Sequence, residues 1–593
     1  MPTQYRYIQT VDTESFPYII EHNVSVHLGN DAVVRCNVYR PKPTTTEARY
    51  PVLVTYGPYG KDVSYQQFNP KSFSEVNPEH QTEHSAWETP TPLFWTSHGY
   101  VVVRADEIGT GQSPGVLHVK SAASIDGFCD VIEWAAQQPW SSGKVGLLGV
   151  SYYAATQWQV AARRPKGLAA IVPWEGFSDA YNESIRHGGI LSNRFYDMWY
   201  ARQVAPNQYG LRGRAARNWG LDTVEGDLRA DKLAANRHKA SLHEQRYRDN
   251  KHLAALNFNL EDITVPILSV ANLGGNLLHL RGNVNGYLWA GSEFKYLRFI
   301  IGRHDLPFYY PEEVEIQRSF LDAWLKGEDR AGWSRKGAVP KVDLILRRGN
   351  VGYNDPAAEK SFLRRKEYEW PLARTEYTPF YLTVEQGLQS VRPSQGLPSK
   401  LTYRAPGKGR ATDILNFTSL PFDSETEITG HIVAHLNVSI SRDRWEDSPS
   451  DLDLFVTLRH ISSSGEEIHY TGSTGEPVPL TRGWLRVSLR KTNPEHPRHR
   501  PWLPYRDFYS TDVLPVIPNE VYPVDVEIWP TSVVVGRGAR LVLEVSSGDT
   551  PGTGFWGHDD PVDRSESVFK GQNCIHFGPD YVNYITLPII PQQ

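Results

Sequence analysis

Ser151 lies in the stretch GLLGVSYYAA, residues 146–155, where an apolar run meets a serine and passes at once into helix-forming residues. A serine on such a sharp strand-to-helix turn can attack a carbonyl carbon once a base takes its proton. The pattern G-x-S-x-G expected for that turn is met at Gly149 and Ser151 and broken at Tyr153, with the small residues Ala154 and Ala155 one step later. The strand before it and the helix after it, TQWQVAARR, give the context the motif requires. A serine serving only as a helix N-cap is the competing reading.

Where a serine on this kind of turn is catalytic, the partners follow in the order acid, then histidine. Among 20 histidines, His304 in KYLRFIIGRHDLPFY stands immediately after a late apolar strand and is the expected base. His279 competes, but LLHLRGN reads as helix, where a histidine bonded to neighbouring backbone is the simpler role. Glu175 in PWEG ends the strand that follows the serine strand, so its carboxylate is expected at the same sheet edge and is the candidate acid. A salt bridge or helix cap is its alternative role. Asp305 adjoins His304, and adjacent side chains rarely point at one another; Asp179 lies farther on. Asn272 or Asn276 is left as a neutral amide that could orient the imidazole.

These residues need a framework that brings strand ends together. PVLVTYG, YVVVRAD, KVGLLGV, LAAIVPW, VPILSVAN and KYLRFIIG are continuous apolar runs alternating with helical patterns, the mark of a parallel sheet covered on both faces. SIDGFCDVIEWAAQQPW and EEVEIQRSFLDAWLKG carry apolar residues at three- and four-residue spacing and supply two of the helices. Between Trp174 and Val265 lie GGILSNRFYDMWYARQV and DLRADKLAANRHKASLHEQRYRDNKHLAALN, read as a helical cap over the strand ends, where open α/β sheets bind ligands. Beyond about residue 375, ITGHIVAHLNVSIS, DLDLFVTLRHI, GWLRVSLR, VYPVDVEIWP and ARLVLEVSSGD alternate with period two and predict an antiparallel sandwich. The division expected is a core over 1–178 and 259–350, a cap over 179–258 and a β-domain over 375–593.

With 593 residues the chain exceeds one core, and its net charge of −5 gives no electrostatic reason to bind nucleic acid or an anionic membrane. The expected partner is a small molecule. Cys36, Cys129 and Cys574 form no C-x-x-C pair, so neither a disulfide framework nor a cysteine-based metal site is expected. With no signal-peptide pattern and no apolar span, the expectation is a soluble cytoplasmic protein without cofactor or metal. DEIGTGQSPG is glycine-rich but lacks the G-K-[ST] of a phosphate loop.

The segment GVSYYAATQWQ resembles the serine turn of the cocaine esterase and X-prolyl dipeptidyl peptidase-like acyl hydrolases (CocE/NonD, S15-type). AVVRCNVYRP, PYGKD, GTGQSPG, DVIEWAAQQPWSSGKVGLLG, HLRGN, DLDLFVTL and GWLRVSLR agree with that group in order. The resemblance covers nearly the whole chain. It implies an α/β-hydrolase domain with a doubly wound, mostly parallel sheet, an inserted helical cap and a C-terminal jelly roll walling the pocket. It also implies Tyr59, in GPYGKD, as a hydroxyl donor of the oxyanion hole beside the Tyr152 amide, with Tyr56 as the alternative tyrosine. Two departures stand out: the family's aspartate after the strand VPILSVAN is absent from ANLGGN, and Ile108 replaces a usual arginine.

The function this implies is a serine hydrolase cleaving a carboxylic ester or an amide of a small molecule through an acyl-enzyme. The departures leave a non-hydrolytic lyase, cyclase or binding role as one alternative and X-prolyl dipeptidyl aminopeptidase as another. The resemblance makes a homodimer plausible. Trp95, Trp174, Trp199, Tyr200 and Trp289 fall on the expected pocket side, most of them as core and a few as walls of an apolar acyl site.

Overall fold

The computed structural model describes residues 9–591 apart from 30, 218, 220–227, 240, 395, 406–411 and 444–447. Its first sheet is built from β1 (Tyr18–His27), β2 (Val33–Pro41), β3 (Tyr50–Gly57), β4 (Val101–Asp106), β5 (Ser141–Val150), β6 (Leu168–Trp174), β7 (Ile267–Asn272), β8 (Lys295–Ile300), β9 (Val342–Arg348) and β10 (Leu363–Glu367). In space they run 1-2-4-3-5-6-7-8-9-10. Pairing is parallel from β4 through β9 and antiparallel at the edges. β4 and β7 are buried at every position, which is why their apolar runs do not alternate.

The helices named here are α1 (Ala122–Gln137), α2 (Tyr152–Ala161), α3 (Asn193–Trp199), α4 (Ala230–Ala235), α5 (Lys251–Ala254), α6 (Leu280–Trp289) and α7 (Pro311–Leu321). α1 starts on Ser121, whose side chain accepts from the Ser124 N–H, and it buries Ile125, Phe128, Val131, Ile132 and Ala135 on one stripe. Residues 179–258 hold α3, α4 and α5 with short π and 3₁₀ turns between them. The periodicity predicted longer helices over 188–204 and 227–257, with 227 and 240 outside the described residues. Gly188 and Gly189, both at positive φ, instead precede a chain that helix forms only from Asn193.

The second strand system is antiparallel about β11 (Thr426–Ser441), which pairs along its length with β12 (Tyr522–Val535), with Gln572–Phe577 and with Tyr584–Ile590. It encloses its own apolar core, including Phe417, Leu436, Val456, Leu458, Val526 and Leu543. β9 also pairs with β12 through Arg347 and Arg348, which joins the two systems edge to edge. A further apolar cluster contains Tyr59, Tyr152, Trp199, Trp484, Phe508 and Trp556, so all three regions pack on one another beside the parallel strand ends. Among the described residues no helix is long and apolar enough to cross a membrane.

Candidate active site

Five parallel strands deliver the site. Tyr59 follows β3, Ser151 follows β5, Glu175 follows β6, Asn272 closes β7 and His304 follows β8, so their side chains gather at the carboxyl edge of the sheet. Ser151 has φ 60° and ψ −112°, and its N–H donates to the carbonyls of Trp174 and Glu175, each at 3.1 Å. Glu175 (φ 49°) and Glu88 (φ 62°) are also left-handed. Three non-glycine residues at positive φ, two of them lining one cavity and the third bonded to His304 on its wall, make a cluster of held backbone strain of the kind found at functional sites.

The break in the serine motif has a packing explanation. A Cβ on Gly57 would stand 2.7 Å from Tyr153 Cε1, and one on Gly149 would stand 2.7 Å from Tyr153 Cβ. The Tyr153 side chain therefore fills space that two glycines leave, its ring at Gly57 and its Cβ at Gly149, and the ring meets Tyr59 edge-on with centroids 5.5 Å apart. The close approach that demands small residues falls at Ala154, whose Cβ would be 2.6 Å from a Cβ on Gly176.

His304 Nδ1 donates to Glu175 Oε2 at 2.8 Å. Glu175 is fully buried, and its other oxygen accepts from Asn272 Nδ2 at 3.2 Å. Asn272 also donates to the Gly302 carbonyl at 2.8 Å, so it supports the carboxylate. Asn276 donates to the Pro479 carbonyl instead. Asp305 is occupied by Tyr65, Ser72 and Arg303, and Asp179 by a two-pronged bond to Arg248 with both contacts at 2.8 Å.

Ser151 Oγ lies 3.3 Å from His279 Nε2 and makes its hydrogen bond there, not to His304. His279 is the residue before α6, at its N-cap position and not inside the helix. Its Nδ1 accepts from the Phe177 N–H at 3.2 Å. That acceptance fixes the neutral tautomer: the ring proton is on Nε2 and points at the serine oxygen. His304 Nε2 stands 3.3 Å from Glu88 Oε1. No sequence signal marked Glu88, which comes from the irregular loop SAWETP between β3 and β4.

The two imidazoles are driven apart electrostatically. For His304 burial opposes the charged form, but the Glu175 and Glu88 carboxylates outweigh it and hold the ring well above the ordinary imidazole value. Burial, followed by the charge of His304, holds His279 well below it. Burial raises the Glu88 carboxyl, partly offset by His304.

Tyr59 is 5% exposed, and its hydroxyl oxygen accepts from Trp199 Nε1 at 2.8 Å. Burial pushes its phenol well above the ordinary value, so the hydroxyl keeps its proton and has it to give. Tyr56 stacks on Phe128 and accepts from the Ile108 N–H, on the other side of the strand. Tyr152 is the first residue of α2, where a backbone N–H has no acceptor within the helix. Its hydroxyl donates to Glu107 at 2.7 Å and accepts from the Lys120 N–H.

Tyr59, Glu88, Ser151, His279 and His304 open onto one cavity of about 420 Å³, with Phe68, Trp87, Phe195, Trp199, Phe555 and Trp556 among its walls. Phe195 and Trp556 stack with centroids 3.9 Å apart. Ser473 and Thr474, in the turn of a small hairpin between Tyr470–Thr471 and Pro477–Val478, line it as well, and the Ser473 carbonyl accepts from the His304 N–H. Of the aromatic residues singled out in the sequence, Trp199 reaches this cavity, while Trp95 and Trp174 are sealed in the core and Trp289 lines another hollow.

Residues 30–293 match the model of X-Pro dipeptidyl-peptidase (S15 family), and residues 335–586 match the X-Pro dipeptidyl-peptidase C-terminal non-catalytic domain. The chain is 26% identical to the cocaine esterase of Rhodococcus sp. (strain MB1 Bresler), covering 97% of this chain and 99% of that one. An Xaa-Pro dipeptidyl-peptidase of Lacticaseibacillus rhamnosus is 26% identical over 38% of this chain and 33% of its own length. A CocE/NonD family hydrolase from Staphylococcus aureus superposes with a TM-score of 0.79 at 26% identity, covering 100% of this chain and 99% of that one. A serine in a strained strand-to-helix turn beside two histidines thus sits in a chain matched along both halves, and the protein belongs to the cocaine esterase and X-Pro dipeptidyl-peptidase-like (CocE/NonD, S15-type) family of serine hydrolases.

Proposed function

We propose that the protein hydrolyses a carboxylic ester of a small, largely uncharged aromatic or bulky apolar molecule through an acyl-enzyme on Ser151. His304 is the base, Glu175 the acid that orients it, and the Tyr59 hydroxyl with the Tyr152 N–H holds the oxyanion. The observation that carries this reading is the bond from His304, on the wall of the cavity that Ser151 also lines from its left-handed turn, to the buried Glu175 behind it.

His279 is not the base in this reading, because its available nitrogen already carries the proton. Donation from Nε2 to Oγ orients the serine and leaves the serine proton free for another acceptor. His304, deprotonated and swung from Glu88, takes that proton as Oγ bonds to the substrate carbonyl carbon. The proton then passes to the leaving alcohol, and water releases the acid by the reverse sequence. The aromatic walls favour an apolar acyl or alcohol group.

A second reading, release of an amino-terminal dipeptide, is favoured by one feature: Glu88 Oε2 is buried without a partner and Glu88 lines the cavity. A substrate ammonium would compete there with His304. Rates on paired substrates with and without a free amine separate the two.

The architecture is assigned as an α/β-hydrolase core over 1–178 and 259–350, a cap over 179–258 and a jelly-roll domain over 375–593. The parallel order of the first sheet and the antiparallel pairing around β11 support it. The three thiols are unpaired, which accords with a reducing, cytoplasmic setting. The test of function is labelling by a fluorophosphonate. Wild type is expected to be modified and Ser151→Ala not, together with turnover of aryl esters; an unlabelled wild type that turns over no ester would overturn the reading.

A further inference from the structure

His118, His238 and His252 converge at the seam between the loop before α1 and the cap. One ring nitrogen from each lies within 4.8 Å of the others, and His118 Nε2 is 3.5 Å from His252 Nδ1. Backbone pairing sets the cluster up: Leu117 bridges Arg237 in parallel, the Leu117 N–H donates to the Asn236 carbonyl, and the His238 N–H donates to the Leu117 carbonyl. That short ladder places His118 and His238 side by side with ring centroids 4.1 Å apart. α5 brings His252 against them with its ring nearly parallel to that of His118, centroids 5.4 Å apart. In sequence the three are too scattered for any metal-ligand spacing, so composition and motifs could not reveal the site.

We propose that His118, His238 and His252 bind one divalent transition cation of the zinc class and thereby fasten the cap to the core. Tetrahedral coordination at ~2.0–2.1 Å separates ligand nitrogens by roughly 3.3 Å, so the 3.5 Å pair already has nearly that spacing, and the third ring must turn and shift to bring its nitrogen in from within 4.8 Å. An all-imidazole set suits zinc, cobalt, nickel or copper and not magnesium or calcium, which want oxygen. Three protein ligands leave a position for water. The competing account is a chain of imidazoles joined by N–H to N bonds, but that satisfies the 118–252 pair alone. The loop continues to Lys120, whose N–H donates to Tyr152 Oη and whose ammonium lies over Phe177 at 4.6 Å, so the clamp would hold a segment that packs on the residue after Ser151.

The test uses the full chain without a polyhistidine tag, stripped with chelator and titrated with Zn²⁺ alone. Wild type is expected to take up one equivalent, to melt on the order of 2 °C higher at saturating metal, and to resist limited proteolysis between residues 227 and 257. His238→Ala, at an exposed position, and His252→Ala, at a half-buried one, are expected to lose that equivalent, the thermal shift and the protection. They should melt like the stripped wild type. Cobalt should give the visible absorption of a four-coordinate site in wild type only. Uptake unchanged in both variants, no stoichiometric uptake by wild type, an equal effect of Mg²⁺, or binding without protection of the cap would each overturn the proposal.

Discussion

The rings of His279 and His304 lie face to face, centroids 5.1 Å apart and planes 10° from parallel, and their surroundings drive them to opposite charge states. Glu175 and Glu88 flank the two nitrogens of His304, whereas a backbone N–H and a serine oxygen meet those of His279. A base must be unprotonated to work. Since the carboxylates raise His304 well above the ordinary imidazole value, activity is expected to fall as pH drops through that raised value, with the acid limb of kcat/KM alkaline of the usual histidine range. Glu88→Gln removes one negative charge, weakens the imidazolium and should move this limb toward lower pH. A limb that stays in place would show that Glu88 does not tune His304.

The two histidines also separate by magnitude. His304→Ala removes the proposed proton carrier and is expected to lower kcat by a factor of roughly 10³–10⁴ or more. His279→Ala removes one hydrogen bond that orients Oγ, of the order of 1.4 kcal/mol or about tenfold. Single-turnover rates of acylation give the comparison. Equal losses, or a larger loss at 279, would transfer the role of base to His279.

Why the sequence led to one of these rings and away from the other is a matter of where strands stop. The apolar runs ending at Gly57, Val150, Trp174, Asn272 and Ile300 are long and unbroken, so the residues just after them are predictable neighbours at a sheet edge. Glu175 and His304 come within 2.8 Å for that reason. His279 depends on where a helix begins. LLHLRGN reads as continuous helix, but the turn through Gly274 and Gly275 delays the start to Leu280 and leaves the ring free to face Ser151. Glu88 depends on a loop with no periodicity, and its left-handed backbone is a tertiary effect that residue type does not announce. Over residues 179–258 apolar spacing suggested long helices, whereas the described residues form short pieces that pack in one apolar cluster with residues of both strand systems.

Glu175→Gln keeps the shape and the bond from Asn272 but removes the charge that holds the imidazole in place. A fall in kcat by a factor on the order of 10²–10⁴ is expected, with KM little changed and the thermal midpoint near that of wild type. Activity close to wild type would remove Glu175 from the triad and return attention to Asn272 as a neutral support.

Tyr59→Phe leaves the ring packed against Tyr153 and deletes a hydroxyl on the cavity wall. Loss of one oxyanion donor lowers kcat by roughly 10²–10³ with little effect on KM. Trp199→Phe deletes the N–H that fixes the Tyr59 oxygen at 2.8 Å and is expected to give a smaller loss in the same direction. If Tyr59→Phe instead raises KM at constant kcat, the hydroxyl binds substrate and not the transition state.

Tyr153→Gly restores the glycine that the written serine motif calls for and is expected to harm the protein. The tyrosine is 5% exposed; its ring occupies the space above Gly57 and its Cβ that above Gly149. Emptying a site of that size costs about 3–5 kcal/mol, and a glycine near the start of α2 adds to the loss by roughly 0.5–1 kcal/mol. The variant should unfold at clearly lower denaturant, and the fluorophosphonate should label its Ser151 more slowly, because the ring also supports Tyr59 edge-on. A variant as stable as wild type would mean that the motif glycine and the tyrosine are interchangeable here, and that Gly57 is small for some other reason than to seat this ring.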